Sequence, residues 1–200
     1  MTSAEVATRI VVGISGSSGA IYGARLIEVL AARPDVECHL VMSKAARMTI
    51  GFETDYDAAQ VEAWADVVYD ERDVGASIAS GTCRVDGMIV APCSIKTLSH
   101  IANSNSESLL TRAADVTLKE RRRLVLVVRE TPLHRGHLEL MLKATDAGAV
   151  ILPPVPGFYI RPATIGDLVD HTITKVLDLF DIDANLVPRW TGLPPDALES

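Results

Sequence analysis

The sequence predicts an α/β domain in three layers (αβα), a parallel sheet enclosed between helices. Two observations carry that expectation. Short apolar, β-branched runs alternate with stretches of helical periodicity along most of the chain. The runs are apolar on both faces, as strands covered on each side must be. A third observation locates a ligand: the first run ends in a turn of glycines and serines.

Residues 9–14, RIVVGI, read as the first strand. Ile21, Ala24, Leu26, Ile27 and Leu30 share one side of a helix over 20–32. A second strand covers 36–42, and Ser43 stands where a cap for a helix over 44–50 belongs. Residues 53–83 are less regular, with one short helix near 58–65. The third strand, 87–91, leads into a helix from Ser94. A longer helix spans 108–120, the fourth strand 124–128, a helix 134–147, the fifth strand 149–152 and a last helix 165–180. Residues 1–8 read as a flexible tail and 9–184 as the domain. Residues 185–200, with Pro188, Trp190, Pro194 and Pro195, read as a tail that docks on this subunit or a neighbour.

The chain has 200 residues, 48% hydrophobic and 22% charged, which suits one globular domain. A net charge of -7 disfavours a nucleic-acid surface, which needs a basic face. No apolar run is long enough to span a bilayer, and the polar start with Glu5 does not read as a secretory leader. Cys38, Cys83 and Cys93 lack the spacing of a disulfide framework or zinc site, which points to the cytoplasm.

In an open parallel sheet, ligands bind beyond the carboxyl ends of the strands. After the first strand comes Gly13-Ile14-Ser15-Gly16-Ser17-Ser18-Gly19-Ala20. Its glycines admit an anion to the backbone, and the next helix turns its positive end toward it. The spacing is neither the dinucleotide fingerprint nor a Walker A loop. After the second strand stand Ser43 and Lys44, with no Asp or Glu for ribose hydroxyls, so a mononucleotide such as FMN fits better than NAD. Ser43 reads equally well as a plain helix cap.

Cys93, Ser94, Ile95, Lys96 and Thr97 open the helix after the third strand. Cys93 lacks a basic partner that would make it a nucleophile. Arg129 and Glu130 follow an apolar strand, where charge is costly unless paired or used. Phe158 and Tyr159 follow a stiff proline run and offer a wall to a flat or prenyl ligand. Arg112 and Lys119 share a face of the long helix, with Asp115 as an ordinary ion-pair alternative. His134 and His137 lack a third ligand, so no metal is expected.

Eight motifs in order, over about residues 9–190, resemble the UbiX-type flavin prenyltransferase family. They are GISGSSGAIYG from Gly13, VMSKAA from Val41, ETD from Glu53, APCSIKT from Ala91, RAADV from Arg112, LKERR from Leu118, VRETPL from Val128 and PPVPGFY from Pro153. The resemblance implies a flavodoxin-like, Rossmann-like fold and a dodecameric assembly. It implies transfer of a dimethylallyl group from dimethylallyl phosphate to N5 and C6 of reduced FMN, for use by a partner decarboxylase. It further implies FMN contacts at Gly16, Ser17, Ser18, Ser43, Ser94, Ile95, Lys96, Thr97 and Arg129. Tyr159, Lys175, Arg112 and Lys119 would meet the prenyl phosphate. Glu53 and Glu130 would be the catalytic carboxylates, with Lys119 and Ser18 assisting them.

On this reading cations take up the charge of the departing phosphate. Glu130 moves a proton, with Ser18 as a relay. Glu53 holds Lys119 protonated. Two departures from the family pattern are Lys175, often Arg, and the turn 103–108. The competing expectations are an FMN-dependent cysteine decarboxylase, whose turn and His are not matched, and a non-catalytic flavin carrier.

Overall fold

The computed structural model describes residues 8–192. Of the predicted tails, 1–7 and 193–200 lie outside the described residues; Thr8 belongs to the first strand, and 185–192 are described. Six strands form one wholly parallel sheet: β1 (Thr8–Ile14), β2 (Val36–Met42), β3 (Val67–Asp70), β4 (Gly87–Cys93), β5 (Arg123–Val128) and β6 (Ala149–Ile151). Their order is β3-β2-β1-β4-β5-β6. The helices are α1 (Ala20–Ala31), α2 (Lys44–Glu53), α3 (Ala58–Ala63), α4 (Ile95–Ala102), α5 (Leu109–Lys119), α6 (Arg135–Asp146) and α7 (Ile165–Asp178).

The five expected strands are present. Without β3, their order is the flavodoxin order 2-1-3-4-5, and β3 adds an edge strand beside β2. The sequence pattern does not reveal β3 because Val67–Asp70 is short and alternates between partly buried and exposed residues. It lacks the double-sided apolar run that marks the others.

Alternation along each strand divides the core in two. Ile10, Val12 and Ile14 of β1 face α1, α2, α3 and α7, and Val11 faces the side of α4, α5 and α6. Each fully buried Leu or Ile contributes about 1.5–3 kcal/mol. The inner face of α1 approaches the sheet unusually closely at Gly23. A Cβ there would lie 2.3 Å from the Ala91 carbonyl oxygen. The order of strands reverses between β1 and β4, and the crevice opens above their tips.

Candidate active site at the strand tips

The tips of β1, β2 and β4 form the floor of a cleft of about 790 Å³, within the range of small-molecule sites. Three helices point their N-termini at it, each capped by a serine. Ser43 accepts from Ala46 N at 3.0 Å, Ser94 from Thr97 N at 3.2 Å and Ser108 from Thr111 N at 3.4 Å. The positive ends of α4 and α5 favour an anionic ligand there, while at the head of α2 Lys44 N already donates to Glu71 Oε1 at 2.9 Å. Gly16, Ser43, Lys44, Ser94, Lys96 and Thr97 line it.

The opening turn is pinned by Ser15, which the motif spacing alone does not single out. Its buried hydroxyl donates to Pro92 O at 2.7 Å and accepts from Ser94 N at 2.8 Å, tying the β1 tip to the β4 tip. Gly16 then passes so close to α2 that a Cβ would lie 2.3 Å from the Ala45 Cβ. Ser17 Oγ is buried without a partner. The N–H groups of Gly16, Ser17 and Ser18 find no acceptor among the described residues. Unpaired donors are rare in folded proteins, and this run is suited to a phosphate. The turn and cleft thus fit the phosphate and sugar-like chain of FMN.

The positive end of α1 is used differently from the expectation. Glu53, the last residue of α2, accepts from Gly19 N at 2.7 Å and Ala20 N at 3.3 Å. Burial pushes its carboxyl up. Hydrogen bonds from Ser18, Gly19 and Ala20 and the charge of Arg129 outweigh that and leave it below the ordinary carboxylate range. Its contribution to stability is therefore complete above the unfolded value of about 4.3 and disappears as pH falls through the lower folded value. The Tm advantage of the protein over Glu53→Gln should be largest near neutrality and shrink below about pH 4.3. Thermal melts across pH 3–7, on the order of the titration range, check this; a constant difference would show that the contact carries no proton linkage.

Arg129 lies on this side of the turn, beside Gly19, Glu53 and Tyr22, rather than in the cleft lining. Glu130 is exposed just beyond β5, and its Oε1 accepts from Thr131 N at 3.0 Å. Tyr22 leads from Arg129 to Thr172 of α7. Nearby on α7, His171 Nε2 lies 2.8 Å from the Tyr159 hydroxyl. Burial and the charge of Lys175 one turn on both lower the His171 pKa. Trp190 stands edge-on to Tyr159, with ring centroids 5.8 Å apart. The described part of the C-terminal segment thus places an aromatic ring on the predicted prenyl wall, which periodicity could not reveal.

Two predicted members are elsewhere in the single chain. Arg112 donates from Nε to Ala79 O at 3.2 Å and pairs with Asp115 at 3.0 Å. Lys119 pairs with its neighbour Glu120 at the far end of α5, just before β5 begins. The expected Glu53–Lys119 pair is therefore not formed within one chain. Eleven residues of helix carry Lys119 about 15 Å from the strand tips toward their base. Ile95 opens α4 beside the cleft and is partly buried against the core.

Cys93 is fully buried, and burial pushes its thiol up, so it is no nucleophile. The His134 and His137 rings lie tilted against each other with centroids 3.6 Å apart, and no group of three potential metal ligands gathers among the described residues.

A glycine/serine nest, capped helix ends and a switch-point cleft define a mononucleotide-binding α/β protein. The Flavoprotein family model matches residues 2–180. A flavin prenyltransferase UbiX of Thauera aromatica is 61% identical over 184 residues, covering 92% of this chain and 94% of the relative. The solved structure of AnUbiX (PadA1) in complex with FMN and dimethylallyl pyrophosphate superposes with a TM-score of 0.91 at 52% identity, covering 94% of this chain and 99% of the other. A dodecameric FMN-dependent UbiX-like decarboxylase from Escherichia coli O157:H7 gives a TM-score of 0.91 at 47% identity, covering 92% and 100%. The chain belongs to the Flavoprotein family and, within it, to the UbiX-type flavin prenyltransferases.

Proposed function

We propose that this chain transfers a dimethylallyl group from dimethylallyl phosphate to N5 and C6 of reduced FMN, making a cofactor for a separate decarboxylase. The observation that carries the reading is the set of unpaired backbone amides at Gly16, Ser17 and Ser18, with the buried Ser17 hydroxyl, beside three serine-capped helix ends. Ser43, Ser94, Ile95, Lys96 and Thr97 would hold the rest of the nucleotide, and Arg129 its outer edge.

Reduced FMN supplies the nucleophilic N5 and C6 edge. The remaining work falls to side chains. Glu130 has Oε1 engaged by Thr131, which leaves Oε2 to take the proton released on ring closure. Ser18, beside Glu53, relays it. Tyr159 and Trp190 offer aromatic surface to the electron-poor prenyl group. With His171 Nε2 protonated, Tyr159 accepts that hydrogen bond and keeps its own hydrogen for a phosphate oxygen. Lys175, one turn beyond His171, adds a positive charge to that side.

Arg112 and Lys119 act on this reading from a second copy of the chain. Both are partly exposed, and both lie outside the cleft of their own subunit. The relative from E. coli O157:H7 is dodecameric, and exposed Phe52, Phe158 and Ile165 give this chain apolar surface for such contacts. Among the described residues no helix is long and apolar enough to cross a membrane. The three unpaired thiols suit a reducing compartment, the cytoplasm.

The test is incubation with reduced FMN and either dimethylallyl phosphate or the diphosphate, followed by mass analysis of the flavin. A flavin heavier by one prenyl group is expected. An unchanged flavin with both donors overturns the reading. Decarboxylation of a phenolic acid by the protein alone would instead favour the decarboxylase alternative.

A further inference from the structure

A polar chain runs along the α5 side of the sheet, outside the lining of the nucleotide cleft. Arg9 donates from Nη2 to Glu37 Oε2 at 2.8 Å. Glu37 Oε1 lies 2.7 Å from His39 Nε2, and His39 Nδ1 lies 2.9 Å from the Tyr69 hydroxyl. That hydroxyl lies 2.9 Å from Ser77 Oγ. His39 is only 6% exposed, and both its nitrogens are engaged. A buried imidazole so completely paired fixes the elements it joins.

The Arg9 guanidinium holds the Glu37 carboxyl below its usual range, so Glu37 is ionised and accepts from His39 Nε2. His39 Nδ1 is left to pair with the Tyr69 hydroxyl, which also meets Ser77 Oγ. The last link crosses from β3 to the short 3-10 turn Ser77–Ala79.

That turn and the residues after it form the bed on which the cations of α5 rest. Arg112 Nε donates to Ala79 O at 3.2 Å. Arg122, just beyond α5, donates to Cys83 O at 2.7 Å and Gly81 O at 2.9 Å. A Cβ on Gly81 would lie 2.8 Å from Lys119 Nζ, so the backbone passes directly beneath that amine.

We infer that the Glu37–His39–Tyr69–Ser77 chain positions the Arg112–Lys119 pair by fixing segment 77–83 against α5. The inference rests on the reading that these two cations hold the donor phosphate. His39, Tyr69 and Ser77 touch neither flavin nor donor. They act through the bed, and losing them loosens the grip on the phosphate without disturbing the nucleotide cleft.

The experiment is steady-state prenylation with Tyr69→Phe, Ser77→Ala, Ser77→Thr and Lys119→Ala, each with FMN affinity measured alongside. Tyr69→Phe and Ser77→Ala are expected to raise the KM for dimethylallyl phosphate about five- to tenfold, with kcat within about twofold, the pattern of lost ground-state binding. FMN affinity stays unchanged, and Ser77→Thr, which keeps the hydroxyl, restores KM. Lys119→Ala is expected to lose about 100-fold or more in kcat/KM. If Lys119→Ala is damaged while Tyr69→Phe and Ser77→Ala keep a normal KM, the positioning role is overturned. It is overturned equally if those two variants lose FMN affinity in parallel, because that marks general unfolding. If Lys119→Ala behaves normally, the phosphate reading fails and this inference with it.

Discussion

Glu130→Gln is expected to stop prenyl transfer while leaving FMN bound, and Lys119→Ala to do the same for a different reason. A glutamine there keeps the hydrogen bond to Thr131 but accepts no proton. The loss should be about 10²–10⁴-fold, the usual worth of a positioned general base. Removing the Lys119 amine takes a charge from the departing phosphate, an electrostatic effect of similar size. The structure makes the pair more informative together than apart. Glu130 stands at the tip of β5, and Lys119 lies at the base of the same subunit. If one catalytic centre draws these residues from two copies, mixed oligomers of the inactive variants contain intact centres. Random mixing of equal amounts leaves about a quarter of centres with both residues, by the statistics of a closed symmetric assembly. Refolding the two variants together should therefore recover activity that neither shows alone. No recovery, in oligomers shown to be mixed, would place both residues in one subunit's centre or remove one from the chemistry.

Gly23→Ala is expected to give the largest loss of stability of any single methyl group added to α1. The new Cβ would lie 2.3 Å from the Ala91 carbonyl oxygen and 2.8 Å from Ile14 Cδ1. Neither the β4 backbone nor the fully buried Ile14 has room to give. Overpacking of this kind costs about 3 kcal/mol, toward the upper end for such changes. For a domain of this length that is roughly a 10 °C fall in Tm. Calorimetry on the apo protein measures it, and an unchanged Tm would show that α1 can ride outward freely. Because α1 starts at the phosphate turn, FMN affinity should fall with it.

The sheet and the cleft were legible because each strand tip is followed in sequence by its own polar turn. Gly16, Ser43 and Ser94 are adjacent in space because parallel strands bring their ends to one edge. Hydroxyls in the first residue of a helix are also readable as caps, and Ser43 and Ser94 act as caps here. Less could be read where the chemistry depends on which end of a helix a residue occupies. Periodicity put Arg112 and Lys119 on one face, and it carries no information on how far from the tips that face extends. The Glu53 contact with α1 was hidden for another reason. It spans 34 residues between loop and helix end, and nothing local in either segment announces it. Trp190 and Ser15 were hidden likewise, since each works through a partner remote in the chain.

The carboxylate seated on the first amides of α1 bears on how firmly the nucleotide stays. In many mononucleotide sites that helix end would clamp the phosphate directly. Here Glu53 already satisfies Gly19 and Ala20 and sets a negative charge beside the turn. Retention then depends on hydroxyls, the free amides of the turn and the ends of α4 and α5, with a like charge beside the turn, a looser hold than one with α1 vacant as well. Under the proposed function that is an advantage, because the finished molecule would have to be surrendered to another enzyme.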